Sequence, residues 1–274
     1  MKIGLVHSDK QSNWTSCRNI TANLAKAYQQ TSHQIEFLLA PRYQVFQEYD
    51  SWAEDVLSRD FDALAFIDHL PFPSHLLRSL DKLSGDAAVP RTLLHLFGDC
   101  THWQNSWRGL ENYFKRSNAQ FFAASTSQCR FLSDYFQSGQ DLTRLPFPLD
   151  FEFWNRSHAK QFSVRRQLGI SDDTFLVSYI GRLHMQKNVL PLMNWFHQNF
   201  TDRKFHFVIA GDFDDSAAPQ MGIQNRLGHG FAEMTKWLDD KDNFSYLGPL
   251  KAETVRDVLG ETNFFCSFST YNDE

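Results

Sequence analysis

Residues 177–188 read Val-Ser-Tyr-Ile-Gly-Arg-Leu-His-Met-Gln-Lys-Asn. This is an apolar strand ending in Gly181, then Arg182 and Lys187 five positions apart, then a helix starting near Asn188. A glycine lets a ligand approach the backbone, and two cations beside a helix N-terminus suit a diphosphate through charge-assisted contacts. The same spacing also fits a solvated basic turn, since Arg and Lys are common on surfaces. Other chemistries find less support. Asp212-Phe213-Asp214 forms an Asp-x-Asp, but carboxylates in a post-strand loop usually solvate a turn, so no metal site is expected. No Gly-x-Ser-x-Gly elbow follows an apolar run and no Gly-x-Gly-x-x-Gly follows Met1 to Val6, which leaves a hydrolase triad and a dinucleotide dehydrogenase without their anchors.

The elements that must position such a site are legible as an alternation. Short apolar runs at Lys2 to His7, Gln34 to Leu39, Ala63 to Asp68, Arg91 to Phe97, Gln120 to Ala124, Phe175 to Ile180, Phe205 to Ala210, Phe244 to Leu247 and Asn263 to Phe268 have strand length. Helical patterns lie between them at Cys17 to Gln30, Trp52 to Arg59, Leu76 to Leu83, Trp107 to Arg116, Ser127 to Phe136 and Val164 to Leu168. Apolar strands separated by helices predict an α/β chain with doubly wound parallel sheets, in which ligands bind beyond the carboxyl ends of the strands. The length of 274 residues suits two domains, and the prolines of Leu145-Pro146-Phe147-Pro148 mark the joint. The expected domains are residues 1–150 and 151–274, each Rossmann-like.

Composition narrows the function classes. With 42% hydrophobic and 22% charged residues the chain is globular, and the 26 Phe, spread along apolar runs, are expected in cores. A net charge of -5 lacks the basic excess of a general nucleic-acid binder. Cys17, Cys100, Cys129 and Cys266 never approach Cys-x-x-Cys spacing, so neither a zinc knuckle nor a disulfide scaffold is indicated and a cytoplasmic setting is expected. The first residues are too short for a signal segment and no apolar run approaches a membrane span, although peripheral membrane contact stays open.

Several segments together resemble a known family. Gly181-Arg182-Leu183 followed by Lys187-Asn188 resembles the donor loop of the retaining GT-B glycosyltransferases of family four. Ala210-Gly211-Asp212 and Tyr246-Leu247-Gly248 resemble its next two strand ends, and the joint through Asp150 resembles its interdomain junction. Upstream, Met1 to Val6, Thr31 to Leu38 and Asp62 to Pro73 resemble the first strand, the second strand start and the His-x-Pro-x-Pro loop of the acceptor domain.

The resemblance implies a sugar moved from a nucleotide sugar to an acceptor hydroxyl, with no cofactor and no metal. The acceptor class, whether glycan, lipid-linked, protein or small molecule, stays open. It further implies that Gly181, Arg182 and Lys187 hold the donor phosphates, and that Gly211, Leu247 and Gly248 border the nucleoside. Glu274 falls where the family's sugar-contacting glutamate stands. Asp99, His102 and His69 are the candidates on the acceptor side, whereas His95 lies inside an apolar run and reads as a core histidine. The family's companion glutamate and later strands are missing after Glu274, so the chain is expected to be a C-terminally truncated piece. No glycine occurs within Ser8 to Ser16, where many family members carry a Gly-Gly loop. That departure keeps a non-catalytic binder or scaffold of the same fold as a rival, beside a nucleotide-sugar epimerase.

Overall fold

A computed structural model describes residues 1–8, 15–41, 47–68, 73–96, 104–135, 141–155, 162–184, 187–200, 204–213 and 242–269. The chain divides into two compact units, Met1–Asp150 and Phe151–Asn272, each built around one sheet.

In the first unit, strands β1 (Lys2–Ser8), β2 (Gln34–Ala40), β3 (Ala63–Phe66), β4 (Arg91–Leu96), β5 (Gln120–Ala123) and β6 (Asp141–Arg144) form a sheet of order β2-β1-β3-β4-β5-β6. Every pairing is parallel. The connecting helices are α1 (Thr15–Gln29), α2 (Gln47–Leu57), α3 (Pro73–Ser84), α4 (Glu111–Arg116) and α5 (Thr126–Tyr135). The pleat sends alternate side chains to opposite faces. Leu64 and Phe66 of β3 join a core with Trp52, Leu76, Leu77 and Phe114, while Ala63, Ala65 and Ile67 pack toward Leu24 of α1. Helix α3 shows why a stretch with little net hydrophobicity folds there. Pro73 occupies its first position, where a missing N–H costs nothing, and Leu76, Leu77 and Leu80 make one buried stripe.

The second unit has α6 (Val164–Leu168), β7 (Phe175–Ile180), α7 (Val189–Asn199), β8 (Phe205–Ala210), β9 (Phe244–Tyr246), α8 (Ala252–Glu261) and β10 (Phe264–Phe265). Its sheet runs β10-β7-β8-β9, again all parallel. Val177 and Tyr179 face α7, where Phe196 stacks on Phe207 at 4.6 Å between ring centroids. Leu176 and Val208 face α6 and α8 through Val164 and Val258. Fully burying a side chain such as Phe207 contributes on the order of 2 to 3 kcal/mol, so this aromatic layer is a large part of the unit's stability.

Three local expectations are corrected. The stretch read as one helix over Trp107 to Arg116 is a 3-10 turn at Gln104–Trp107 and then α4, because Gly109 adopts φ 82 and breaks the run. The strand expected over Asn263 to Phe268 pairs only at Phe264–Phe265. Strand β6 and helix α8 are elements that apolar periodicity did not announce. His95, in mid-β4, is buried with its Nε2 2.9 Å from Tyr28 Oη and its ring stacked on Phe122, which is the core arrangement expected of it.

Candidate functional site

Because all strands of the second sheet are parallel, their carboxyl ends share one edge, and three strand-end glycines line up there. The Gly181 amide donates to Ala210 O at 2.9 Å, and the Gly211 amide donates to Gly248 O at 2.8 Å. Pairing continues past the strands, with Leu183 N donating to Asp212 O at 2.9 Å and Leu183 bridging Phe213. Gly211 adopts φ 147, and a Cβ there would lie 1.8 Å from the Gly181 carbonyl oxygen. No other residue fits that crossing.

Arg182 and Lys187 leave this edge in the turn that leads into α7, and both are half-buried. The turn is tightened by a bond from Lys187 N to the carbonyl of the buried His184 at 3.0 Å. It ends at Asn188 in the left-handed region, φ 52 and ψ 34. The Asn188 side chain does not cap α7, and N-terminal amides of this kind attract anions. Two cations and a helix N-terminus thus stand on one short segment, and each attracts anions.

Two tyrosines, present in the sequence reading only as members of the strand-end segments, hold the edge. Tyr179 Oη donates to Arg182 O at 2.7 Å, and Tyr246 Oη donates to Gly211 O at 2.8 Å. Burial raises the Tyr179 phenol above its ordinary range, with the nearby Arg182 charge pulling the other way. The sequence signal for the first bond was a tyrosine two positions before a strand-end glycine, but nothing in apolar periodicity separates it from a packing residue.

Among the remaining candidates, Leu247 packs half-buried against the Val164, Leu176, Val208 and Val258 cluster, beside Gly248 with its φ of 66. Asp212 turns its carboxylate onto the Phe213 amide at 2.9 Å, the behaviour of a turn residue. Asp99, His102, His69 and Glu274 lie outside the described residues. Among the described residues, no group of three His, Cys, Asp or Glu is placed to hold a metal ion, and no helix is long and apolar enough to cross a membrane.

By sequence, no family model and no curated protein matches this chain. Solved structures do match in fold. HepE of Anabaena, in complex with UDP and glucose, superposes with a TM-score of 0.62 at 16% identity, over 99% of this chain and 75% of that one. The catalytic domain of starch synthase IV from Arabidopsis thaliana, bound to ADP and acarbose, gives 0.65 at 11% identity, over 99% and 78%. The lipopolysaccharide outer core galactosyltransferase WaaB, in its apo form, gives 0.57 at 12%, over 100% and 75%. At these identities the likeness fixes the architecture: two Rossmann-like parallel-sheet units in the GT-B arrangement of chain order.

Proposed function

We propose that this chain moves a sugar from a nucleotide-sugar donor to an acceptor hydroxyl, with retention at the anomeric carbon. One observation carries the reading: Arg182 and Lys187 flank a tight turn into α7 at the carboxyl end of β7. That turn sits on a fold whose solved examples include proteins captured with UDP and with ADP. Residues 1–150 form the acceptor domain and residues 151–274 the donor domain.

The chemistry follows from charge. When the bond between the anomeric carbon and the diphosphate oxygen breaks, its electron pair leaves with the nucleoside diphosphate. Fixed cations stabilise that departing anion more than they stabilise the bound donor. Arg182 and Lys187 supply the charge that a divalent ion supplies elsewhere. Gly181 contributes room rather than a donor, since its amide is given to Ala210. Gly211, Leu247 and Gly248 border the nucleoside, and Glu274 contacts the sugar. The acceptor oxygen forms the new bond, its proton passing to one of Asp99, His102 and His69.

The test is incubation with UDP-, GDP- and ADP-sugars and an acceptor panel, with NMR reading the anomeric configuration of any product. Transfer with retained configuration supports the reading. Donor binding without turnover assigns the fold to a nucleotide-sugar-binding scaffold, and recovery of an epimerised donor assigns it to an epimerase. Failure of all three diphosphates to bind returns Arg182 and Lys187 to a basic turn.

A further inference from the structure

From the geometry at the end of β7 we infer that Tyr179 is a positioning residue for the phosphate site, its hydroxyl fixing the main chain of Arg182 so that the guanidinium is presented in one place. The inference rests on the donor reading of Arg182 above. Tyr179 is fixed below by its place in the α7-facing core, where 3% of it is exposed, so the ring itself cannot wander. From that anchor the hydroxyl reaches three residues forward and donates to Arg182 O at 2.7 Å.

Gly181 is what lets it pass. A Cβ at Gly181 would lie 3.0 Å from Tyr179 Oη and 3.4 Å from Cζ, a crowding that only displacement of the phenol relieves. The glycine in this turn therefore serves the brace as well as the ligand. The neighbouring turn carries a second brace of the same kind, Tyr246 Oη to Gly211 O, and Gly211 lies directly against the Gly181 carbonyl. With both hydroxyls in place the two turns are tied to the core, and the main chain that carries the Arg182 side chain is held before the ligand arrives. Preorganised contacts of this type strengthen binding by removing the cost of ordering at the moment of association.

The experiment measures dissociation constants for UDP, GDP and ADP in a cycle of unmodified protein, Tyr179→Phe, Arg182→Ala and the double variant. NMR exchange rates of the Leu183 and Lys187 amides are recorded alongside. Tyr179→Phe is expected to weaken the tightest diphosphate roughly 3- to 10-fold, with no further weakening when Arg182 is already alanine. It is also expected to speed exchange of the two amides. Should Tyr179→Phe fail to fold, Tyr179→Met, which fills the same place in the core without a hydroxyl, takes its place in the cycle and is read by the same criteria. Unchanged affinity, an equal loss with and without Arg182, or unchanged exchange overturns the inference. If the unmodified protein binds none of the three diphosphates, the donor reading fails and the positioning role falls with it. Binding that is indifferent to Tyr179→Phe overturns the positioning role alone.

Discussion

The two ends of the second sheet each carry an arginine, and the two arginines are used differently. At the amino end, the Arg165 guanidinium donates to Ser171 O at 2.8 Å, Thr174 O at 2.9 Å and Asn263 Oδ1 at 2.9 Å. Asn263 Oδ1 in turn accepts from Leu176 N, so the side chain ties the loop before β7 to the segment before β10. At the carboxyl end, the Arg182 carbonyl accepts from the Tyr179 hydroxyl at 2.7 Å, and the turn stands against the Gly211 crossing. Arg165 fastens two loops through its side chain, whereas the tie on Arg182 is received by its main chain. The contrast teaches that two arginines of one small unit can take opposite parts in its bonding, which residue type alone does not reveal.

The sharpest way to break this contrast is at the crossing itself. Gly211→Ala puts a methyl 1.8 Å from the Gly181 oxygen at a φ that L residues avoid. A loss on the order of 3 kcal/mol or more is expected, through strain and a displaced β8 turn. Denaturant unfolding reads it directly, and nucleotide binding should vanish with it. A variant of parental stability would mean that the two turns are not in contact.

Acid should attack the amino end next. His206 is buried at the start of β8, its Nε2 3.0 Å from Ser245 Oγ, and burial followed by the Arg165 charge lowers its pKa from 6.5 to about 4. The folded state binds this proton less readily than the unfolded chain. The stabilisation is therefore full above pH 6.5 and is lost as pH falls through the folded value near 4, by on the order of 3 kcal/mol in all. His95, buried against Tyr28 and also lowered to about 4, adds a loss of the same sign in the first unit. Unfolding curves at pH 7 and pH 4.5 should show the drop, and His206→Gln should flatten it; an undiminished slope in that variant would remove His206 from the account.

The pair of arginines supplies a double dissociation of smaller size. Arg165→Met keeps the apolar stem but takes the donors from Ser171 O and Thr174 O and leaves Asn263 Oδ1 with only the Leu176 amide, with an expected stability loss of about 2 kcal/mol. The ligand affinity of the folded fraction should be unaffected. Arg182→Ala and Lys187→Ala should do the reverse, each weakening nucleoside-diphosphate binding by about 1.5 to 3 kcal/mol while leaving unfolding nearly unchanged. Calorimetry and denaturation on the same variants decide it, and parental affinity for UDP, GDP and ADP in both variants would dismiss the phosphate assignment.

How much of this was legible follows from what periodicity can report. Strands β7 and β8 stand where the apolar runs Phe175 to Ile180 and Phe205 to Ala210 place them, because both faces are covered and the runs are continuous. Strand β6, Asp-Leu-Thr-Arg, carries one apolar residue and pairs at the sheet edge, so hydropathy has nothing to register. Helix α8 escaped because only Val258 among its apolar residues is fully buried, amid Glu, Thr, Arg and Asp. At the site, Gly181, Arg182 and Lys187 could be singled out by type and spacing. The Tyr179 and Tyr246 braces could not, since a hydroxyl's partner is a matter of three-dimensional reach that no one-dimensional pattern encodes.

The smallest effect tests whether the amino end is structural throughout. Ser163 caps α6 by accepting the Arg166 amide at its Oγ, 3.2 Å away, with extended backbone at φ -125. The cap sets the first turn of the five-residue helix that carries Arg165, whose own amide donates to Glu261 Oε2 at 3.0 Å. Ser163→Ala removes the acceptor of the Arg166 amide at an exposed helix start, for which about 1 kcal/mol is expected. Because Arg165 needs α6 in place to reach Ser171 and Thr174, the losses from Ser163→Ala and Arg165→Met should be less than additive in the double variant. Diphosphate affinity should stay within twofold of the parent, as ~0.4 kcal/mol is the most that an uncoupled site would show. A binding loss that tracks the stability loss would mean that the two ends of the sheet are coupled, and the division of labour between Arg165 and Arg182 would have to be given up.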